Sequence, residues 1–290
     1  EGFSKLDREE KLKRVAQTFD DPVGFMKELK GYRFSDESLQ NRFEQFTENT
    51  VSNFHLPYGI APNFLIDGKI YHIPMVTEES SVIAAASKSA KYWYNHGGFQ
   101  TEKMSTLKKG HIHFLWYGNK QELGNLFNVL KGTLKSKLTD LTTSMNKRGG
   151  GIQNIWLEDK TEEIDHYHQI GFTFETVDSM GANFINSILE RSAGELKQAA
   201  ENKYPEKLEM IMAILSNYTP ESVITLKVES SLKDLDDLDQ KLSGEAFARK
   251  FKKALDIANH SVSRAVTHNK GIMNGVDAVI MATGNDYRAV

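Results

Sequence analysis

The sequence predicts an α+β fold: a large mixed α/β domain, discontinuous in the chain, with a smaller ferredoxin-like unit inserted in it. Residues 107–219 read in the order strand, helix, strand, strand, helix, strand, which is the βαββαβ order of a split βαβ unit. The flanking segments, 1–106 and 220–290, carry amphipathic helices and a hairpin of their own, so the small unit interrupts a larger one. No G-x-G-x-x-G follows an early strand, which argues against a Rossmann domain; Gly149-Gly150-Gly151 reads as a turn between a helix and a strand.

Taken in order, residues 4–19 show helical periodicity, with Leu6, Leu12, Val15, Ala16 and Phe19 on one face. Asp20-Asp21-Pro22 ends that segment, and Pro22 suits the first turn of the next helix. Phe25, Leu29, Leu39, Phe43 and Phe46 continue a cluster of short helices. Residues 64–76 read as a hairpin about an Asp67-Gly68 turn. Ser80 or Ser81 is placed to cap the next helix, whose alanines permit close packing and which Gly97-Gly98 should stop. Within the insert, strands are expected over 111–117, 151–157, 166–176 and 208–216, and helices over 120–145 and 182–203. A strand over 223–228 follows, then an acidic stretch around Asp234, Asp236, Asp237 and Asp239 that reads as a solvated loop or short helix, then a helix from Ser243 to about Asn259. The polar, glycine-rich 267–286 segment reads as a loop and a strand end. Its Lys270 could sit beside an oxygen that gains negative charge, with Asp286 paired to it, or the two could form a structural ion pair.

Composition excludes several classes of function. With a net charge of -3 and both signs spread along the chain, no nucleic-acid or anionic-membrane partner is demanded. The absence of cysteine rules out disulfides, thiolate catalysis and Cys-ligated metal. No apolar run approaches the ~18 residues of a membrane span, and the first twenty-one residues lack the apolar stretch of a signal peptide, so a cytoplasmic protein is expected. His111 and His113 share one strand face, as do His166 and His168 on a strand expected beside it, which makes a four-histidine metal cluster geometrically conceivable. A polar sheet face is the preferred reading, and no metal is expected. RNA-recognition domains share the βαββαβ order, but Gly151–Leu157 lacks their aromatic pattern.

Several stretches together carry a family resemblance. Thr267-His268-Asn269-Lys270-Gly271-Ile272-Met273-Asn274-Gly275, followed by Ala282-Thr283-Gly284-Asn285-Asp286, resembles the signature of hydroxymethylglutaryl-CoA reductases. Glu48–Asn53 resembles the family's dimer-contact motif, and Leu56–Phe64 its L-P-x-x-x-x-x-N-F. Glu78–Ser87 resembles E-E-P-S-[IV]-[IV]-A-A-A-S, with Ser80 in place of proline. Asp178–Asn183 resembles the cofactor loop D-A-M-G-[AM]-N, with Ser179 in place of alanine, and Ile214-Leu215-Ser216-Asn217 matches I-L-S-N. The whole is similar to the soluble bacterial type, class II.

The resemblance implies reduction of hydroxymethylglutaryl-CoA to mevalonate and CoA by two reduced nicotinamides. It makes 107–219 a non-Rossmann cofactor domain and 1–106 with 220–290 the substrate domain. By the same carry-over Lys270 donates to the thioester oxygen, Asp286 holds Lys270, and Glu79 is the proton donor to the aldehyde, its pKa raised by burial. Arg264 and Ser81 grip the substrate carboxylate, and Asn274 bonds near the reacting carbon. Asp178, Met180, Gly181, Ala182, Asn183 and Asn217 line the dinucleotide. The expected cofactor is NADPH or NADH. Thr142, Ser144, Lys147 and Arg148, with no acidic residue among them, lean towards NADPH. A homodimer or an assembly of dimers is expected, with the active site at the interface. The family's flap histidine has no counterpart before Val290, so a chain that continues is expected; the alternative readings are a catalytically incomplete fragment, a non-catalytic CoA- or nucleotide-binding relative and, remotely, an RNA-binding protein.

Overall fold

The computed structural model describes residues 2–238 and 242–290; Asp239 of the acidic stretch lies outside them, and Asp234–Asp237 form a 3-10 turn. Three short helices open the chain: α1 (Arg8–Ala16), α2 (Pro22–Gly31) and α3 (Glu37–Glu44). Each starts on an aspartate, Asp7, Asp21 or Asp36, whose carboxylate accepts from a first-turn amide. The first is shorter than its periodicity predicts, because Asp7 and Glu10 form a reciprocal capping box that fixes its start. Phe19 falls beyond its end and stacks on Phe25, ring centroids 4.0 Å apart. The 48–53 stretch is irregular and is tied down by Arg33, which donates to the Val51 carbonyl at 2.8 Å, and by Asn53, which donates to buried Gln40 at 2.8 Å.

The antiparallel hairpin comprises β1 (Tyr58–Ile66) and β2 (Lys69–Val76). Asp67 and Gly68 turn it with φ of 47° and 76°, the left-handed pair a two-residue turn requires. α4 (Val82–Tyr94) packs on β1, and a side chain at Gly59 would meet Ile83 at 2.4 Å. The helix ends where Gly98 N–H donates back to the Trp93 carbonyl at 2.8 Å.

β3 (Gln100–Trp116) is one strand shared by two sheets and begins well before the expected 111. Its first part pairs with β7 (Ser222–Lys227), up to Thr106 opposite Ser222. From Leu107 it pairs with β5 (Tyr167–Glu175), and from Lys109 also with β6 (Leu208–Ser216). With β4 (Gly151–Asp159) outside β5, the strand order β4-β5-β3-β6 is antiparallel throughout, the order of a split βαβ sheet. The single helix expected over 120–145 is two, α5 (Lys120–Lys137) and α6 (Thr139–Lys147), broken at buried Leu138. Hydroxyls of Ser136, Thr139 and Thr142 bond back to carbonyls there, a competition that bends helices.

α7 (Ala182–Lys203) lies with α5 on one face of this sheet. Ile112, Phe114, Trp116, Ile170, Phe172 and Phe174 from the strands meet Leu123, Leu130, Ile188 and Leu196 from the helices in the main core. The register settles the histidines: Phe114 lies opposite His168 and His113 opposite Gln169. His168 therefore shares the helix-covered face with Phe114, while His111 and His113 are on the other, so a cluster of four is not formed.

α8 (Gly244–His260) and α9 (Val262–Ala282) complete the described chain. The loop and strand end expected over 267–286 are instead mostly helix. Glycine and asparagine are poor helix formers, but packing of Ala278 and Val279 on Ala61 and Met75 of the hairpin outweighs propensity. Gly284, at φ 72°, ends α9: its N–H donates to the Met281 carbonyl, and that of Asn285 to the Ile280 carbonyl.

Candidate active site

Glu79 sits in the turn between β2 and α4, where its backbone N–H donates to the Thr77 hydroxyl at 3.1 Å. Lys270 and Asn274 are one turn apart on α9 and share a face. Lys270 Nζ donates to Glu79 Oε2, and Asn274 Nδ2 donates to the same oxygen at 3.0 Å. The Lys270 hydrogen bond holds the Glu79 carboxyl below its usual range; desolvation opposes it, and the lysine charge and Asn274 add smaller effects in the same sense as the bond. This corrects the expected rise by burial: the Glu79 side chain is 43% exposed, so its ion pair governs it. Ser81 follows at φ 72°, a conformation that non-glycine residues rarely hold and that recurs at functional sites. It stands at the start of α4 but makes no side-chain cap hydrogen bond, so the expected serine cap is not made. Arg264 lies in the first turn of α9, and among the described residues no hydrogen bond joins it to Ser81.

Within one chain Asp286 does not hold Lys270. Its carboxylate accepts from the Arg288 backbone N–H at 3.0 Å and Nε at 3.1 Å, and the Arg288 bonds hold its carboxyl below the usual range. The reason is the helix: the twelve residue steps from Lys270 to Ala282 advance about 18 Å along α9, where a loop could have folded back. Asp286 lines a different feature, a cleft of about 300 Å³, together with Met180, Ala182, Asn186, Asn217 and Lys108.

That cleft gathers much of the expected nucleotide loop. Gly181 begins α7 at φ 73°, and a Cβ there would lie 2.5 Å from Thr176 Cγ2, so the chain needs glycine. No side chain caps α7, which leaves its first-turn N–H groups to a ligand, and a long helix start of this kind favours phosphate. Thr176 is fully buried beneath the loop with an unpartnered hydroxyl. These residues fit a nicotinamide dinucleotide. Met180 lines the cleft though 44% exposed, while Asp178 and Asn183 are exposed beside it. Ser179 spends its hydroxyl on the Thr176 carbonyl at 2.8 Å, inside the loop. Sequence reasoning missed Lys108, Asn186 and the place of Asp286 in the cleft. Asn186 carried a signal, a polar residue four positions after Ala182 on an otherwise apolar helix face; its Oδ1 accepts from Leu215 N–H at 3.0 Å and fastens α7 to β6.

Residues 8–290 match the family model described as hydroxymethylglutaryl-coenzyme A reductase. The chain belongs to that family. It is 32% identical over its whole length to the 3-hydroxy-3-methylglutaryl-coenzyme A reductase of Archaeoglobus fulgidus, of which the match covers 62%. It is 33% identical over 89% of its length to a probable reductase of Borreliella burgdorferi, covering 57% of that protein. The chain thus spans about three-fifths of these reductases. Its fold is similar to the reductase of Streptococcus pneumoniae, with a TM-score of 0.74 and 33% identity, covering 100% of this chain and 75% of that one. A second structure, of the class II reductase from that organism bound to NADPH in open conformations, matches with the same TM-score and 32% identity. No described helix is long and apolar enough to cross a membrane.

Proposed function

We propose that the chain carries the reductive machinery of a class II reductase that converts 3-hydroxy-3-methylglutaryl-CoA to mevalonate and free CoA. The observation that carries this reading is the convergence of Lys270 and Asn274 on Glu79, in a chain of this family. Bound reduced nicotinamide supplies one hydride in each of two reductions. Lys270 donates to the thioester oxygen as it becomes an oxyanion, and Asn274 holds the same region by hydrogen bonding. The Lys270 hydrogen bond holds the Glu79 carboxyl below its usual range, so in the resting arrangement Glu79 is the carboxylate that orients the Lys270 side chain. Protonation of the aldehyde oxygen is assigned to Glu79, which takes a proton from solvent water once substrate separates it from Lys270 and passes it on as the second hydride arrives, while the departing CoA thiolate takes its proton from solvent water. Arg264 and Ser81 are assigned to the substrate carboxylate, for which the planar guanidinium suits a bidentate contact.

The nucleotide is assigned to the cleft of Met180, Ala182 and Asn217, with Asp178, Gly181 and Asn183 in the loop that borders it. A preference for NADPH rests on Lys147 and Arg148, both exposed at the end of α6; Thr142 is buried and bonded to the Leu138 carbonyl, which removes it from that role. A homodimer is the fitting assembly, because α9 keeps Lys270 and Asp286 apart within one chain and a second copy would bring them into one site. Substrate-dependent oxidation of NADPH and of NADH, measured in parallel, tests the reading. Faster turnover with NADPH supports it; no oxidation with either nucleotide opposes it.

A further inference from the structure

We infer that Glu175 is a positioning residue for the nucleotide loop, holding a strained turn without which the loop would leave the cleft. The inference rests on the reading of 178–183 as that loop. Two left-handed residues bracket its start. One is Gly181, for which φ 73° is ordinary; the other is Val177, at φ 56°. A β-branched side chain in that region crowds its own backbone and does not persist unless its surroundings fix it. The fixing contact is specific. Glu175 Oε1 accepts from the Val177 backbone N–H at 2.7 Å, and the Thr106 hydroxyl donates to that same oxygen. Beyond it, Ser179 N–H and Oγ both donate to the Thr176 carbonyl, at 3.1 and 2.8 Å, which closes the turn over buried Thr176.

Position gives the clamp its meaning. Thr106 is the last residue of β3 paired with β7, and the next residue, Leu107, is the first paired with β5, opposite Glu175 itself. One carboxylate oxygen therefore ties the loop to the point where β3 passes from one sheet to the other. Without that bond Val177 relaxes towards extended backbone, and the displaced Met180 and Gly181 no longer border the cleft.

The test compares Glu175→Ala, Glu175→Gln and Glu175→Ala/Val177→Gly by amide hydrogen exchange without nucleotide, by fluorescence titration with NADPH, and by the KM for each substrate. In Glu175→Ala the Val177 amide should exchange roughly tenfold faster and NADPH bind roughly tenfold more weakly, as loss of a charge-assisted hydrogen bond implies, while KM for the CoA thioester stays nearly constant. Glu175→Gln should remain close to the parent, because both bonds fall on one oxygen and an amide oxygen can accept them. Val177→Gly in the Ala background should recover part of the affinity, since glycine needs no clamp at positive φ. Unchanged exchange at Val177 in Glu175→Ala overturns the proposal, as does an equal rise in KM for both substrates. A parent protein that binds no NADPH, while Val177 exchange still responds to Glu175→Ala, overturns the nucleotide reading and the positioning role with it, and leaves only the clamp.

Discussion

Lys270 and Asn274 meet Glu79 on a single carboxylate oxygen, and that contact sets what each residue can do. If Lys270 stabilises the oxyanion, Lys270→Ala should lower kcat by about 100-fold or more, the usual cost of one oxyanion donor, with little change in CoA-thioester affinity. Unchanged steady-state turnover would remove it from the chemistry. Glu79 gives a pH signature. Its folded pKa is depressed by the Lys270 bond, so the pair's contribution is present above the ordinary carboxylate value of 4.5 and is lost as pH falls through the lower folded value. Thermal midpoints followed into acid should therefore decline less in Glu79→Gln than in the parent; parallel curves would show that the pair does not contribute. The types and spacing of these three residues were legible in the sequence, as was the resemblance that joined them. The ionisation of Glu79 was not, because it depends on exposure and on a lysine 191 positions away in the chain. Nor was the partner of Asp286, since motif spacing does not say whether the intervening residues coil or extend.

The elements that read correctly did so through strong local signals. Asp67-Gly68 turned the hairpin, and His111 and His113 share one face of β3 as expected, opposite the core face of Ile112, Phe114 and Trp116. α7 and β6 begin and end where their periodicity predicts. The failures share a cause: packing or side-chain bonding overrode local propensity. Glycines and asparagines disguised α9, which forms because its apolar face covers the hairpin. Back-bonded hydroxyls split the helix expected over 120–145. β3 was read too short because its first residues pair with a strand far along the chain. Where α5 starts, Asn119 and Glu122 form a reciprocal capping box, with Asn119 Oδ1 accepting at 2.8 Å. Asn119→Ala should cost about 1 kcal/mol of stability in denaturant unfolding, with nucleotide affinity intact. A loss confined to nucleotide binding would instead place this cap in the site.

At the scale of the molecule, α9 separates Lys270 from Asp286, two residues that the proposed reaction would bring together. Lys270 lies with Glu79, and Asp286 lies with the nucleotide cleft. Two copies arranged so that one supplies Lys270 and the other Asp286 would resolve this. Mixing Lys270→Ala with Asp286→Asn, each inactive alone, should then restore turnover after subunit exchange, because a mixed dimer holds one intact site. Continued inactivity in a proven mixed dimer would assign both residues to the same copy. Nothing in the sequence pattern alone showed this separation; it follows from a rigid helix where a loop was expected.

The most direct test of the reductase reading is stoichiometry: reduced nicotinamide consumed and free thiol released, followed together with hydroxymethylglutaryl-CoA as substrate. The expected result is two nicotinamides oxidised for each thiol, since a thioester is taken through an aldehyde to an alcohol. Thiol release without nicotinamide oxidation would mean hydrolysis, and would contradict the account.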